Sequence, residues 1–192
     1  ENLTLSIDSK LQKILYQSLK SKLSQLSTSR AAAVAMDPRN GKILALVSLP
    51  SFDNNNFIKG DATYINNLFH NNNFPLINRV ISGGYPSGST IKPMLALAAL
   101  QENIINPLKT INCPGYINLY NESGKIYWTF KDWSIHGTVN MIKAIAESCD
   151  VYFYTIGGGY GNQQGLGIDR IKNYLELFGW GQKTGIDLPE EK

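Results

Sequence analysis

Gly83-Gly84-Tyr85-Pro86-Ser87-Gly88-Ser89-Thr90-Ile91-Lys92-Pro93 runs from a glycine- and proline-rich approach into residues that are almost all apolar or small as far as Leu100. The approach reads as loop, and Ile91 to Leu100 as a helix hydrophobic all round and therefore buried. Ser89 stands where that helix begins, and Lys92 follows three positions later. Residues three apart share a helix face, so the Lys92 amine can reach the Ser89 hydroxyl. Unpaired backbone N–H groups and the positive end of the macrodipole favour a developing oxyanion at Ser89. The same field, together with burial, favours a neutral Lys92 able to accept a proton. The residues also fit an N-capping serine followed by a lysine whose stem carries its charge to solvent. An apolar helix offers Lys92 little polar surface to reach, which weakens that second reading and leaves the two evenly matched.

Upstream, Leu3-Thr4-Leu5-Ser6-Ile7 alternates like a strand and ends at Asp8, a suitable N-cap. Leu11, Ile14, Leu15, Leu19, Leu23 and Leu26 recur at helical spacing and predict an amphipathic helix. The runs 31–36 and 42–47 flank Asp37-Pro38-Arg39-Asn40-Gly41, which supplies turn chemistry, so the pair reads as a β-hairpin buried on both faces. Ser51 to Phe74, with its tracts of asparagine at 54–56 and 71–73, reads as polar loop.

Downstream, Leu108 to Trp133 reads as loops and short strands, and Val139 to Ala146 as a helix. A polar break, Glu147-Ser148-Cys149-Asp150, precedes a buried run from Val151 to Ile156. Gly157 to Gly167 is glycine-rich and expected to be mobile. Ile168 to Phe178 predicts a last amphipathic helix. On pattern alone the Ser148–Asp150 break is structural. If it faces the start of the Ser89 helix, Ser148 can pass a proton to a leaving amine, and Asp150 can hydrogen-bond Lys92 or a substrate amide. His70 and His136 lie in no evident constellation and read as structural or surface residues.

The chain has 192 residues, 43% hydrophobic and 17% charged, enough to bury a core. Its net charge of +3 is mild and the basic residues are scattered, which argues against nucleic acid as a partner. No apolar run is long enough for a membrane span, and the start has no signal-peptide features. No Cys/His spacing suggests a metal site, and Gly157 to Gly167 lacks the ending of a phosphate loop. Cys113 and Cys149 could pair in an oxidising compartment, but sequence cannot set their separation.

Tyr85-Pro86-Ser87-Gly88-Ser89-Thr90-Ile91-Lys92 resembles the nucleophile motif of class B penicillin-binding proteins, which usually reads Tyr-Pro-Pro-Gly-Ser-Thr-Phe-Lys. The resemblance runs along nearly the whole chain. Ala33-Val34-Ala35-Met36-Asp37 with the run 41–48 is similar to the family's core hairpin. Cys113-Pro114-Gly115-Tyr116, His136-Gly137 and Thr184-Gly185-Ile186-Asp187-Leu188-Pro189 are similar to further landmarks. Glu147-Ser148-Cys149-Asp150-Val151-Tyr152-Phe153 occupies the second catalytic motif. Aspartate at 150, where many relatives carry asparagine, points to the elongation branch of the family. Several motifs in the right order are far more specific than Ser-x-x-Lys by itself.

The resemblance implies the α+β fold of serine β-lactamases and penicillin-binding transpeptidases, an antiparallel sheet flanked by helices. It implies Ser89, Lys92, Ser148 and Asp150 as catalytic residues, with no metal and no organic cofactor. Ser89 would attack the penultimate D-Ala carbonyl of a peptidoglycan stem peptide and expel the terminal D-Ala. An amine from a neighbouring strand would then capture the acyl-enzyme, and β-lactams would leave Ser89 acylated. Implied partners are stem peptides, β-lactams, a membrane-embedded glycan polymerase and elongation-complex proteins. The implied location is the periplasmic face of the cytoplasmic membrane, through an N-terminal anchor outside this chain.

Lys183-Thr184-Gly185 matches the family's third motif as a triplet but follows a helix and a Gly-Trp-Gly turn and continues into Ile186-Asp187-Leu188-Pro189. That context fits a different landmark, so the triplet reads as a decoy. Residues 1–192 are then expected to be the N-terminal portion of one transpeptidase domain, with an incomplete sheet, without the strand of the third motif, and inactive alone. A class D-like serine β-lactamase, which shares Ser-x-x-Lys, and a catalytically incomplete binding fragment are the alternative readings.

Overall fold

Asp8 begins the first helix as its pattern predicts: its carboxylate accepts from the N–H groups of Lys10 and Leu11 and caps α1 (Ser9–Gln25). The structure is a computed structural model that describes residues 3–191. The described residues form two compact units, one comprising residues up to Tyr85 with those from Ile186 onward, the other Pro86–Gly185.

In the first unit α1 packs on a hairpin of β1 (Ala31–Met36) and β2 (Ile43–Leu49), paired antiparallel with an irregularity between Ala35 and Met36. The hairpin is buried on one face, not on both as its apolar runs suggested. Val47 and Leu49 lie against Leu15, Tyr16, Leu19 and Leu23, while Val34 and Met36 are exposed. Residues 3–7 form no strand. They follow β2 through a hydrogen bond from the Asp8 N–H to the Leu44 carbonyl and another from the Ser6 hydroxyl to the Ile43 carbonyl. The Gln12 amide completes that edge, donating to the Leu46 carbonyl at 2.7 Å and accepting its N–H at 2.8 Å. An edge satisfied by side chains no longer offers a free ladder.

The asparagine-rich stretch expected as loop holds two short helices, α2 (Asn54–Ile58) and α3 (Ala62–Phe69). Asp53 and Asp61 cap them, offsetting the low helix propensity of the asparagines. Arg79, in α4 (Arg79–Ser82), is buried and donates to the carbonyls of Asn73, Phe74 and Ile77. One planar guanidinium thus closes the loop that leads to this helix.

The second unit is built around α5 (Lys92–Gln101), entered through a 3-10 turn over Gly88–Ile91. Its alanines at 96, 98 and 99 are buried and let α5 lie close to α6 (Met141–Ala146), α7 (Asp150–Gly158) and α8 (Ile168–Leu177). Leu97 and Leu100 are exposed, so the helix is not buried on every side as its composition suggested. Tyr152, Ile156, Val139 and Val151 are fully buried in the same core. At roughly 1.5–3 kcal/mol for each large apolar side chain, this cluster is a main source of the unit's stability.

The remaining strands pair as β3 (Ile111–Cys113) with β6 (Gly137–Val139), and β4 (Tyr116–Tyr120) with β5 (Ile126–Lys131). Among the described residues the antiparallel pairing is therefore shared among three two-stranded sheets. Val139, expected in a helix, ends β6, and Asn140 caps α6 in its place. The glycine-rich stretch packs closely. Leu166 and Gly167 donate to the carbonyls of Ile156 and Gly157, and a Cβ on Gly165 would lie 2.2 Å from the Gly159 nitrogen. Only glycine fits there.

Candidate active site

Ser89 sits in the 3-10 turn and Lys92 opens α5 one turn later, with Pro93 in the first turn of the helix, where its missing N–H costs nothing. In a 3-10 turn, side chains three apart are eclipsed, so Ser89 and Lys92 share a side. Ser89 is exposed, and its hydroxyl makes no hydrogen bond among the described residues. Lys92 is 6% exposed. Its amine is held by the second motif, donating to the Ser148 carbonyl at 2.7 Å, the Ser148 hydroxyl at 3.0 Å and the Asp150 carboxylate at 2.5 Å. The Phe153 ring lies below it, 5.6 Å from amine to centroid. The structure thus brings Lys92, Ser148 and Asp150 together, while Ser89, one turn before Lys92, is exposed and among the described residues makes no hydrogen bond with the amine expected to reach it.

The loop between α6 and α7 delivers Ser148 and Asp150. Ser148 has φ +54°, a left-handed conformation uncommon for a residue with a Cβ. Cys149 caps α7 through its sulfur, which accepts the Tyr152 N–H, and Asp150 stands in the first turn, where a carboxylate is favoured. A second acid, Asp132, has a fully buried side chain and accepts the Val151 N–H at 2.9 Å and its neighbour Trp133's N–H at 2.8 Å. Burial works to raise the pKa of its carboxyl, but those backbone N–H groups hold it below the ordinary value. Trp133 is exposed, packs edge-on to His136 at 5.2 Å, and donates its indole N–H to the Ser148 carbonyl at 3.2 Å.

His136, set aside in the sequence, is not a surface residue. Its side chain is buried between Glu147 at 3.1 Å and Asp132 at 3.3 Å. Burial opposes its charge, yet these carboxylates raise its pKa. His70 is peripheral, at the C-terminus of α3, with Nδ1 on the Asn66 carbonyl. Cys113 and Cys149 are buried free thiols with sulfurs 2.9 Å apart, and the hydrogen bond with Cys113, then burial, raises the Cys149 pKa. Asp132, His136 and Cys149 place their ligand atoms within 4.8 Å of one another and could hold a metal ion. Spacing gave no sign of this group, because two members come from the 132–136 loop and the third from the cap of α7. Lys183 lies exposed in the stretch after α8, without a hydrogen bond or ion pair to Ser89 or Lys92.

The penicillin-binding protein transpeptidase domain family matches residues 31–192. The chain is 46% identical to the peptidoglycan D,D-transpeptidase MrdA of Acinetobacter baumannii, over 99% of this chain and 26% of that protein. It is similar to the crystal structure of Pseudomonas aeruginosa PBP2 in complex with WCK 5153, with a TM-score of 0.73 and 35% identity, covering 98% of this chain and 40% of that one. A complex between PBP2 and MreC from Helicobacter pylori aligns with a TM-score of 0.75 and 33% identity, over 99% of this chain and 33% of that one. The chain spans about a quarter of the length of the curated relatives it matches.

Proposed function

Because the chain belongs to the transpeptidase-domain family of penicillin-binding proteins, we propose that it serves peptidoglycan D,D-transpeptidation, with Ser89 as the acylated nucleophile. The observation that carries this reading is the buried Lys92 amine, held between Ser148 and Asp150 one turn from an exposed serine. The Lys92 ammonium first gives one proton to the Asp150 carboxylate it contacts. Ser89 Oγ then attacks the penultimate D-Ala carbonyl, and its proton passes to the neutral amine. The C–N bond to the terminal D-Ala then breaks. The Ser148 hydroxyl, 3.0 Å from that amine, relays the proton to the departing amino group. The Ser89 backbone N–H, at the start of the helical segment, supplies one donor to the oxyanion. A second amine then takes the acyl group and forms the cross-link, and a β-lactam ring opened by Ser89 remains as an ester.

Residues 1–192 read as the N-terminal portion of one transpeptidase domain, with the third motif elsewhere than Lys183. The proposed location is the periplasmic face of the cytoplasmic membrane. Among the described residues no helix is long and apolar enough to cross a membrane. The complex of a similar PBP2 with MreC supports a protein partner of that kind, and a similar peptidoglycan synthase complex that coordinates polymerization and crosslinking supports the expected glycan polymerase.

The test is labelling of the full-length protein with a fluorescent penicillin, followed by peptide mapping. A single stable adduct on Ser89, absent from Ser89→Ala, is the expected result. Labelling at another residue would overturn the assignment. Rapid turnover of a chromogenic β-lactam would point instead to a class D-like β-lactamase.

A further inference from the structure

Ser148 is held in its left-handed conformation from outside its own loop. A serine at φ +54° gives up the backbone region that its Cβ prefers. Its carbonyl is gripped by two donors from distant parts of the chain, Lys92 Nζ at 2.7 Å and Trp133 Nε1 at 3.2 Å. Relaxing the backbone toward ordinary φ would turn the carbonyl off both donors. It would also move the hydroxyl from its place 3.0 Å from the Lys92 amine.

The indole is itself well braced. Its ring stands edge-on to His136 at 5.2 Å, and the Trp133 backbone N–H is fixed on Asp132. Asp132 in turn accepts the Val151 N–H, so one loop holds both sides of the Ser148–Asp150 segment. Trp133 is 68% exposed, and its N–H could be satisfied by water at no cost. It is directed to this one carbonyl instead.

We propose that Trp133 is a positioning residue whose indole N–H fixes the Ser148 peptide so that carbonyl and hydroxyl both face Lys92. What the placement is for rests on the acyl-transfer reading above. The hydrogen bond is a property of the fold and can be tested apart from it.

Two variants of the full-length protein remove the N–H and keep an aromatic ring: Trp133→Phe, and benzothienylalanine at position 133, which replaces N–H by sulfur. The rate constant for penicillin acylation at saturation is expected to fall about three- to tenfold, the size of one ordinary hydrogen bond. The dissociation constant of the initial complex should change by less than about twofold, because Trp133 acts on the Ser148 placement and not on binding. In a Ser148→Ala background, which keeps the carbonyl but removes the hydroxyl, the same change at 133 should have a clearly smaller effect, since coupled residues are non-additive. An undiminished acylation rate in both variants, or an equal loss in the Ser148→Ala background, would overturn the proposal.

A crystal structure of Trp133→Phe supplies a readout independent of acylation. Ser148 is expected to leave the left-handed region, with its hydroxyl displaced from Lys92. If wild-type protein is never labelled at Ser89, the acyl-transfer reading fails, and this structure decides the positioning role alone. A Ser148 that keeps its φ and its contacts with Lys92 would sink it.

Discussion

The amine of Lys92 and the carboxylate of Asp150 meet at 2.5 Å across 58 positions of sequence. Lys92 is nearly sealed from water, whereas the Asp150 side chain keeps 27% of its exposure. Removing one partner of a buried pair leaves the other uncompensated, a penalty that partial solvation of Asp150 reduces. Asp150→Ala should therefore slow penicillin acylation of the full-length protein about tenfold or more. Asp150→Asn keeps an acceptor oxygen in place, so its rate should stay within about threefold of wild type. Wild-type rates for both variants in a labelling time course would show that the contact with Lys92 is not needed.

Lys92→Arg separates charge from proton transfer. The guanidinium keeps the positive charge beside Asp150 but cannot serve as a base. A general base contributes about a hundred- to ten-thousandfold, and a loss in that range is expected in single-turnover acylation. Acylation within about tenfold of wild type would reduce Lys92 to a structural cation.

Lys183 is exposed beyond α8 and away from the Lys92 cluster's hydrogen bonds. Lys183→Ala should change acylation by less than about threefold, as for an ordinary surface substitution. A loss of two orders of magnitude would place the triplet in the site after all.

Arg79 tests the first unit. Its guanidinium serves carbonyls at 73, 74 and 77 from one plane, a geometry that a lysine ammonium cannot reproduce. Arg79→Lys should lower stability by about 1–3 kcal/mol, the cost of leaving buried acceptors unmet, while sparing the acylation chemistry of folded protein. Chemical denaturation with an unchanged midpoint would contradict this account of the loop.

The Tyr152 hydroxyl is buried with no hydrogen-bond partner among the described residues, and burial pushes its pKa up to about 12. Tyr152→Phe removes an unsatisfied polar group at almost constant shape. It should be neutral or stabilising by up to about 1 kcal/mol in denaturant titration. A loss of more than about 1 kcal/mol would reveal a partner for this hydroxyl in the full-length protein.

Features that depend on neighbours in sequence were legible from the chain alone. The spacing of Ser89 and Lys92, the cap at Asp8 and the hairpin turn at 37–41 are each set within one or two turns of backbone. So was the family, because its motifs are short, local and ordered along the chain. Local signals failed where two of them competed. Asn54–Ile58 and Ala62–Phe69 have weak helix formers, and the caps at Asp53 and Asp61 prevailed. Apolar runs could not show that the hairpin buries only one face or that Leu97 and Leu100 reach the surface, because facing requires a partner.

The site belongs mostly to tertiary structure. Lys92 meets Ser148 and Asp150 only because the small alanines of α5 let α7 approach. Asp132, Trp133 and His136 acquire their roles from the β5–β6 connection lying against the start of α7. No periodicity encodes the Trp133–Ser148 and Asp132–Val151 bonds, because they join residues 15 and 19 positions apart and are selected by packing of the whole core. Sequence determined which groups were available and which neighbours shared a turn. The fold decided which of them touch, since an amine, a carbonyl and an indole N–H interact only at hydrogen-bond distance.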